Sequence, residues 1–195
     1  MNFKYKLLFL ACSLSISIGQ EVIPFDVSNQ FAQVNYNDVD VLGGAVGYKS
    51  GARGIVVHDS EVIGNTVSVS CFAGNGHRTN AIGIFAFRST IQDNSIWVDD
   101  NYAGGYWEDG GYSYNYHGYG VGILSLGDGA PRHDISNNTI DANRESNAIW
   151  ASYADIENNH LSNQPDLDNN YWAIGHGDYN VIRNNTIIGF RDGIY

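Results

Sequence analysis

The chain has 195 residues, 16% of them charged and 13% aromatic, with 23 glycines and 3 prolines. That composition holds enough apolar surface for one packed domain and excludes a disordered chain. A formal charge of −11 opposes binding to nucleic acid or to any other polyanion unless cations bridge the contact.

Residues 1–19 read as a secretory signal peptide. Lys4 and Lys6 precede the apolar run LLFLACSLSISIG, and Ser17 and Gly19 supply small residues before a cut. The run is short for a membrane span, which takes about 20 apolar residues. Cys12, in FLAC, stands too early in the run for lipoprotein processing and follows the large Leu10. Nothing after the leader is apolar enough to enter a bilayer. Removing it takes away two lysines and no acid, so the charge goes from −11 to −13. Cys71 is then the only cysteine, and a secreted chain without an internal disulfide must be held by burial or by metal. Residues 20–50 are expected to form an N-terminal cap or an irregular first coil: PFDVSNQF suits a cap, and DVDVLGGAVGY suits a coil.

From residue 51 to 195 two short segments recur. The clearer one is an aliphatic residue, two variable positions, Asn, one variable position and a second aliphatic residue. It stands at Val62-Asn65-Val67, Ile91-Asn94-Ile96, Ile135-Asn138-Ile140, Ile156-Asn159-Leu161 and Ile182-Asn185-Ile187. Upstream of these lie apolar segments centred on Ile55, Ile84, Ile123, Ile149 and Ile174. From isoleucine to asparagine the spacing is 10, 10, 15, 10 and 11 residues, the long interval containing GDGAPR. Apolar and polar residues alternate and helical spacing is nowhere sustained, so both segments are strands. Strands that recur without two-residue hairpin turns predict a coil of parallel strands, with equivalent positions stacked about 4.8 Å apart.

In such a coil Asn65, Asn94, Asn138, Asn159 and Asn185 are corner posts. Asparagine tolerates left-handed backbone, bonds the main chain at a tight corner, and can bond the next asparagine along the stack. A further copy opens at RDGIY, where the chain stops. That predicts a fragment of a longer protein, or a partner covering an open coil. Insertion loops are expected at 71–80 and 99–119, and loops of that length in a compact fold are either functional or disordered.

The GI…I.NNTI repeat resembles the right-handed parallel β-helix family, the pectate-lyase-like superfamily, over roughly residues 50–195. The resemblance implies an all-β, right-handed parallel β-helix solenoid, and the repeats counted here amount to about five to six coils. It does not select an activity, because the scaffold carries lyases, hydrolases, epimerases, adhesins and inert stalks. GHG at 175–177 is similar to the glycine-flanked histidine of polygalacturonases, which makes His176 a candidate catalytic residue. The accompanying R-x-K is missing, and Asp99-Asp100 lies too far upstream to be the paired carboxylates. The lyases of the family need a basic residue as proton acceptor and calcium or arginine as neutraliser, and no lyase signature surrounds the arginines here. RHD at 132–134 is faintly similar to the histidine motif of mannuronan epimerases, with its neighbours in another order.

If the five isoleucines point inward, pleating turns Val56, Phe85, Leu124, Trp150 and Gly175 outward, with His58, Phe87, Leu126, Ser152 and Gly177 two residues on. An outer face that apolar is either covered or used for binding. Phe85, Phe87, Trp150 and His58, with Trp107 and Tyr112 from the tyrosine-rich insertion, are candidate platforms for sugar rings. The next position stacks Asp59, Arg88, Gly127, Tyr153 and Asp178. Asp59 and Arg88 are close enough to pair, either as a structural ion pair or as an acid beside an electrophilic arginine, and Asp178 joins them as a candidate. Asp99, Asp100, Glu108 and Asp109 are candidate oxygen ligands for calcium.

Two functional expectations follow. The first is a secreted or periplasmic protein that binds an extracellular polysaccharide and, if an enzyme, cleaves it as a lyase or glycoside hydrolase. The second is a non-catalytic structural or adhesive module of a cell-surface protein. A periplasmic accessory β-helix linked to copper maturation would need converging His or Met ligands, and the initiator is the only methionine.

Overall fold

The computed structural model describes residues 16–18, 25–27, 32–45, 49–73, 78–102, 106–109, 112–115, 119–129, 132–144, 146–164, 172–176 and 178–195. Strands form three parallel sheets that wind as a right-handed parallel β-helix of six coils. Sheet I stacks Ile16–Ile18, Asp38–Ala45, Thr66–Ala73, Ser95–Tyr102, Thr139–Arg144, His160–Ser162 and Thr186–Ile188. Sheet II stacks Phe25–Val27, Lys49–His58, Arg78–Phe87, Tyr119–Leu126, Ser146–Ala151, Trp172–His176 and Asp192–Ile194. Sheet III stacks Gln33–Asn35, Glu61–Ile63, Thr90–Gln92, His133–Ser136, Ala154–Glu157 and Val181–Arg183. Each coil runs sheet II, sheet III, sheet I. No helix among the described residues is long and apolar enough to cross a membrane.

Every coil delivers the same side chain to the same place, and this builds the core as columns. Ile55, Ile84, Ile123, Ile149 and Ile174 stand in register and have no exposed surface. Val62, Ile91, Ile135 and Ile156 do the same from sheet III. The glycine before each of the first three isoleucines has a packing cause. A Cβ at Gly83 would meet the Gly122 carbonyl oxygen at 2.5 Å and Ile96 Cγ2 at 2.6 Å. Gly54, Gly83 and Gly122 therefore stand where neighbouring backbone and side chains come too close for a Cβ, while Ala148 and Ala173 hold the equivalent buried place in the later coils.

The asparagine ladder holds the corner between sheets III and I. The backbone N–H of each asparagine donates to Oδ1 of the next, at 2.9–3.0 Å, from Asn37 through Asn65, Asn94, Asn138 and Asn159 to Asn185. The Nδ2 groups donate to the same oxygens and back to carbonyls of the preceding coil. The residue before each rung is left-handed: Tyr36, Gly64, Asp93, Asn137, Asn158 and Asn184 have φ between +56° and +67°. Asn37 adds a rung to the five expected, because Val34-Asn37-Val39 repeats the spacing in a region read as a cap or irregular coil.

The stretches read as insertions are partly regular strand. Residues 71–73 and 78–80 end and begin strands of sheets I and II, and 99–102 continue a sheet I strand. Tyr106–Asp109 and Tyr112–Asn115 pair as an antiparallel hairpin. Ile16–Ile18 of the expected leader pairs with Leu42–Gly44, so in a chain cut after Gly19 sheet I would begin at Asp38–Ala45. On the last coil Ile188 and Ile194 are about half exposed.

Candidate functional site

The outer side of sheet II places Val56, Phe85, Leu124 and Trp150 in one register row, each half-buried. Gly175 ends the row, and its Cβ position would lie 2.6 Å from the Trp150 ring, so the indole lies across that backbone. Trp172 meets Trp150 edge-on at 6.2 Å, and Tyr195 meets Trp172 at 4.8 Å. At the other end the Arg53 guanidinium lies 5.0 Å from the Phe85 ring centre. Pleating alone made Phe85 and Trp150 legible. Trp172 was not singled out by the sequence, although it stands two residues before the buried Ile174.

One step along the strands this row meets a polar corner. His58 stacks on Phe87 at 4.7 Å, and the Arg88 guanidinium covers Phe87 at 4.8 Å. Arg88 Nε and Nη2 donate to Asp59 Oδ1 and Oδ2, both at 2.8 Å, while His58 Nδ1 lies 2.8 Å from Asp59 Oδ2. The third guanidinium nitrogen, Nη1, is 3.5 Å from Asp128 Oδ2. Hydrogen bonds from Arg88 hold the Asp59 carboxyl below the usual carboxylate range, and Asp59 in turn raises Arg88. Both residues sit in left-handed backbone, φ +48° and +47°, a conformation that bulky residues adopt at a cost. Asp128 is the fourth member of the cluster. Only its place in GDGAPR hinted at a corner, and the sequence offered no means of registering it beside Arg88.

Asp178 does not join this column. The Tyr153 N–H donates to the Asp178 carbonyl, as Asp59 N–H does to Phe87, so Tyr179 is the residue level with Tyr153. The cause is the extra residue in the sixth coil, the 11-residue spacing, which moves Asp178 one place back and leaves it exposed. Tyr153 and Tyr179 stack at 4.9 Å instead. His176 is in register with the buried Ala151, far along the axis from Asp59. Asp99 is in register with Ser70 and Asn143 on sheet I, away from the Asp59 corner. The side chains of Asp100, Trp107, Glu108, Asp109, Tyr112 and His176 lie outside the described residues. Among the described residues, no three His, Cys, Asp or Glu side chains converge as a metal site.

Comparison with family models, curated proteins and solved structures finds no match for this chain.

A second buried column lines the corner between sheets II and III. Ser60 Oγ accepts from Ala32 N–H at 3.1 Å, Ser89 Oγ accepts from Ser60 N–H at 3.0 Å, and Asn180 Oδ1 accepts from Ala154 N–H at 2.9 Å. His133, paired with Ala154, stands where these posts stand in other coils. The residue is 7% exposed and neither ring nitrogen has a hydrogen-bond partner. Burial lowers its pKa, against a smaller opposing pull from Asp155. The folded chain therefore keeps the imidazole neutral, while the unfolded chain protonates as the pH falls below about 6.5. This contribution to stability is intact above about pH 6.5 and is lost progressively below it, toward the lowered folded value. His133→Leu is expected to flatten the decline of melting temperature between about pH 7 and pH 5. Melting curves of the two proteins across that range check this, and parallel declines would refute it.

Proposed function

We propose that the protein binds an extracellular polysaccharide along the outer side of sheet II, as a secreted β-helix of pectate-lyase-like type. The observation that carries the reading is the half-buried row from Phe85 through Leu124 to Trp150, bordered by the His58–Asp59–Arg88 corner. Aromatic faces suit the C–H-rich faces of sugar rings, and flanking charged groups suit hydroxyls. Coils about 4.8 Å apart repeat this surface along the axis, as an extended polymer would need.

Binding is better supported than cleavage. Asp59 already accepts bonds from Arg88 and His58, and its lowered pKa leaves it ionised at neutral pH, a poor general acid. All three nitrogens of Arg88 face protein carboxylates, so it is a poor electrophile for a uronate. The test is affinity electrophoresis of the full chain in gels cast with a panel of polysaccharides, with assays for reducing ends and unsaturated products. Trp150→Ala is expected to weaken retention on the order of tenfold, about 1.4 kcal/mol. Thermal melting alongside separates this from loss of fold. A folded Trp150→Ala variant that binds as the parent does would overturn the placement, and no retention on any gel would favour the structural or adhesive module.

A further inference from the structure

Beside the Asp59–Arg88 pair, on the sheet III side of the corner, lies an open hollow of about 420 Å³ lined by Gln33, Asp59, Ser60, Glu61, Arg88 and Thr90. Ala32 completes the lining, whose other side chains are polar and include no aromatic ring, in contrast with the row on sheet II. The Gln33 amide donates to Glu61 Oε2 at 2.7 Å, and Ser60 Oγ is committed to the His58 carbonyl at 2.6 Å. Capacity that the described bonds leave over includes the second Glu61 oxygen, the Gln33 carbonyl and the Thr90 hydroxyl. That remainder is rich in acceptors and contains no uncommitted cation.

The charge balance of the corner decides what it can hold. Asp59 and Glu61 both line the hollow, and the one guanidinium there, that of Arg88, already faces Asp59 and, outside the lining, Asp128. A carboxylate brought into this hollow would meet like charge, with nothing to displace but an existing bidentate pair. The chain as a whole, at −11, adds to the repulsion. Hydroxyls carry no such penalty, and they donate to the acceptors that remain.

We propose that the hollow is a subsite for an uncharged sugar residue, so that the polysaccharide bound is a neutral one and not a polyuronate. The inference rests on the binding reading above and names its substrate class. Thr90 points the way to a test, because a larger side chain there fills the hollow from a short sheet III strand that carries none of the aromatic row.

The experiment is affinity electrophoresis of the full chain in gels containing a neutral β-glucan, a neutral galactomannan or polygalacturonate, each with calcium and with chelator. Retention is expected on at least one neutral polymer and on neither polygalacturonate gel, and Thr90→Tyr is expected to weaken neutral retention at least fivefold. Glu61→Gln is expected to leave polygalacturonate binding undetectable while weakening neutral retention by less than Thr90→Tyr does. Polygalacturonate retention equal to or stronger than neutral retention, with or without calcium, would overturn this inference and leave the binding reading standing. Neutral retention indifferent to Thr90→Tyr in a folded variant would remove the hollow as the subsite. No retention on any gel would remove both.

Discussion

Replacing Asn138 by alanine should destabilise the protein by about 2–6 kcal/mol, a large part of the stability of an ordinary domain. Asn138 is an interior rung, 1% exposed. Its Oδ1 takes the Asn94 backbone N–H and the Asn94 Nδ2, each at 3.0 Å, and its Nδ2 reaches the Ile91 carbonyl at 3.0 Å. Alanine leaves the Asn94 N–H and the Ile91 carbonyl buried without these partners, and each such group costs about 1–3 kcal/mol. Its own N–H still reaches Asn159 Oδ1, so the damage falls on the coils below. Asn185→Ala should cost less, because Asn185 is only half-buried and water can replace what is lost. Urea unfolding of both variants gives the comparison. Equal costs, or a cost below about 1 kcal/mol at Asn138, would mean that the ladder follows the corner and does not hold it.

Ile123→Ala should cost about 2–5 kcal/mol. Ile123 lies in register between Ile84 and Ile149, and all three are fully buried. The hole left by its side chain is walled by backbone and side chains from the coils on both sides, which are fixed by their own ladders and cannot close around it. Ile187→Ala, on the half-buried last coil, should cost about 1 kcal/mol or less, because part of that surface already meets water. In a stacked fold each coil contacts only its neighbours, so hydrogen exchange should show the loss at Ile123 concentrated in the strands at 78–87 and 146–151. Exchange that rises evenly along the whole chain would argue against that local character.

Much of this architecture is readable before any coordinates. The inward isoleucines, the asparagine posts, the outward Phe85 and Trp150 and the closeness of Asp59 to Arg88 all follow from a repeat and from pleating. A coil returns each residue type to the same place, so its chemistry is written several times over. The Val34-Asn37-Val39 copy is just as regular, yet it lies in the stretch 20–50, which reads as a cap or an irregular first coil.

Spacing within one coil is enough to specify the fold class, the core columns, the ladder and the aromatic row. Where corner lengths differ between coils, only the folded structure settles which residues meet. Corner lengths set that register, and they vary: the GDGAPR corner brings Asp128 to Arg88 and seats His133 in the column that holds Ser60, Ser89 and Asn180, and one extra residue in the sixth coil puts Tyr179, not Asp178, beneath Tyr153. A one-residue change in a corner is a small mark in a sequence, but it moves a side chain to another column or another face, and the chemistry of the corner moves with it.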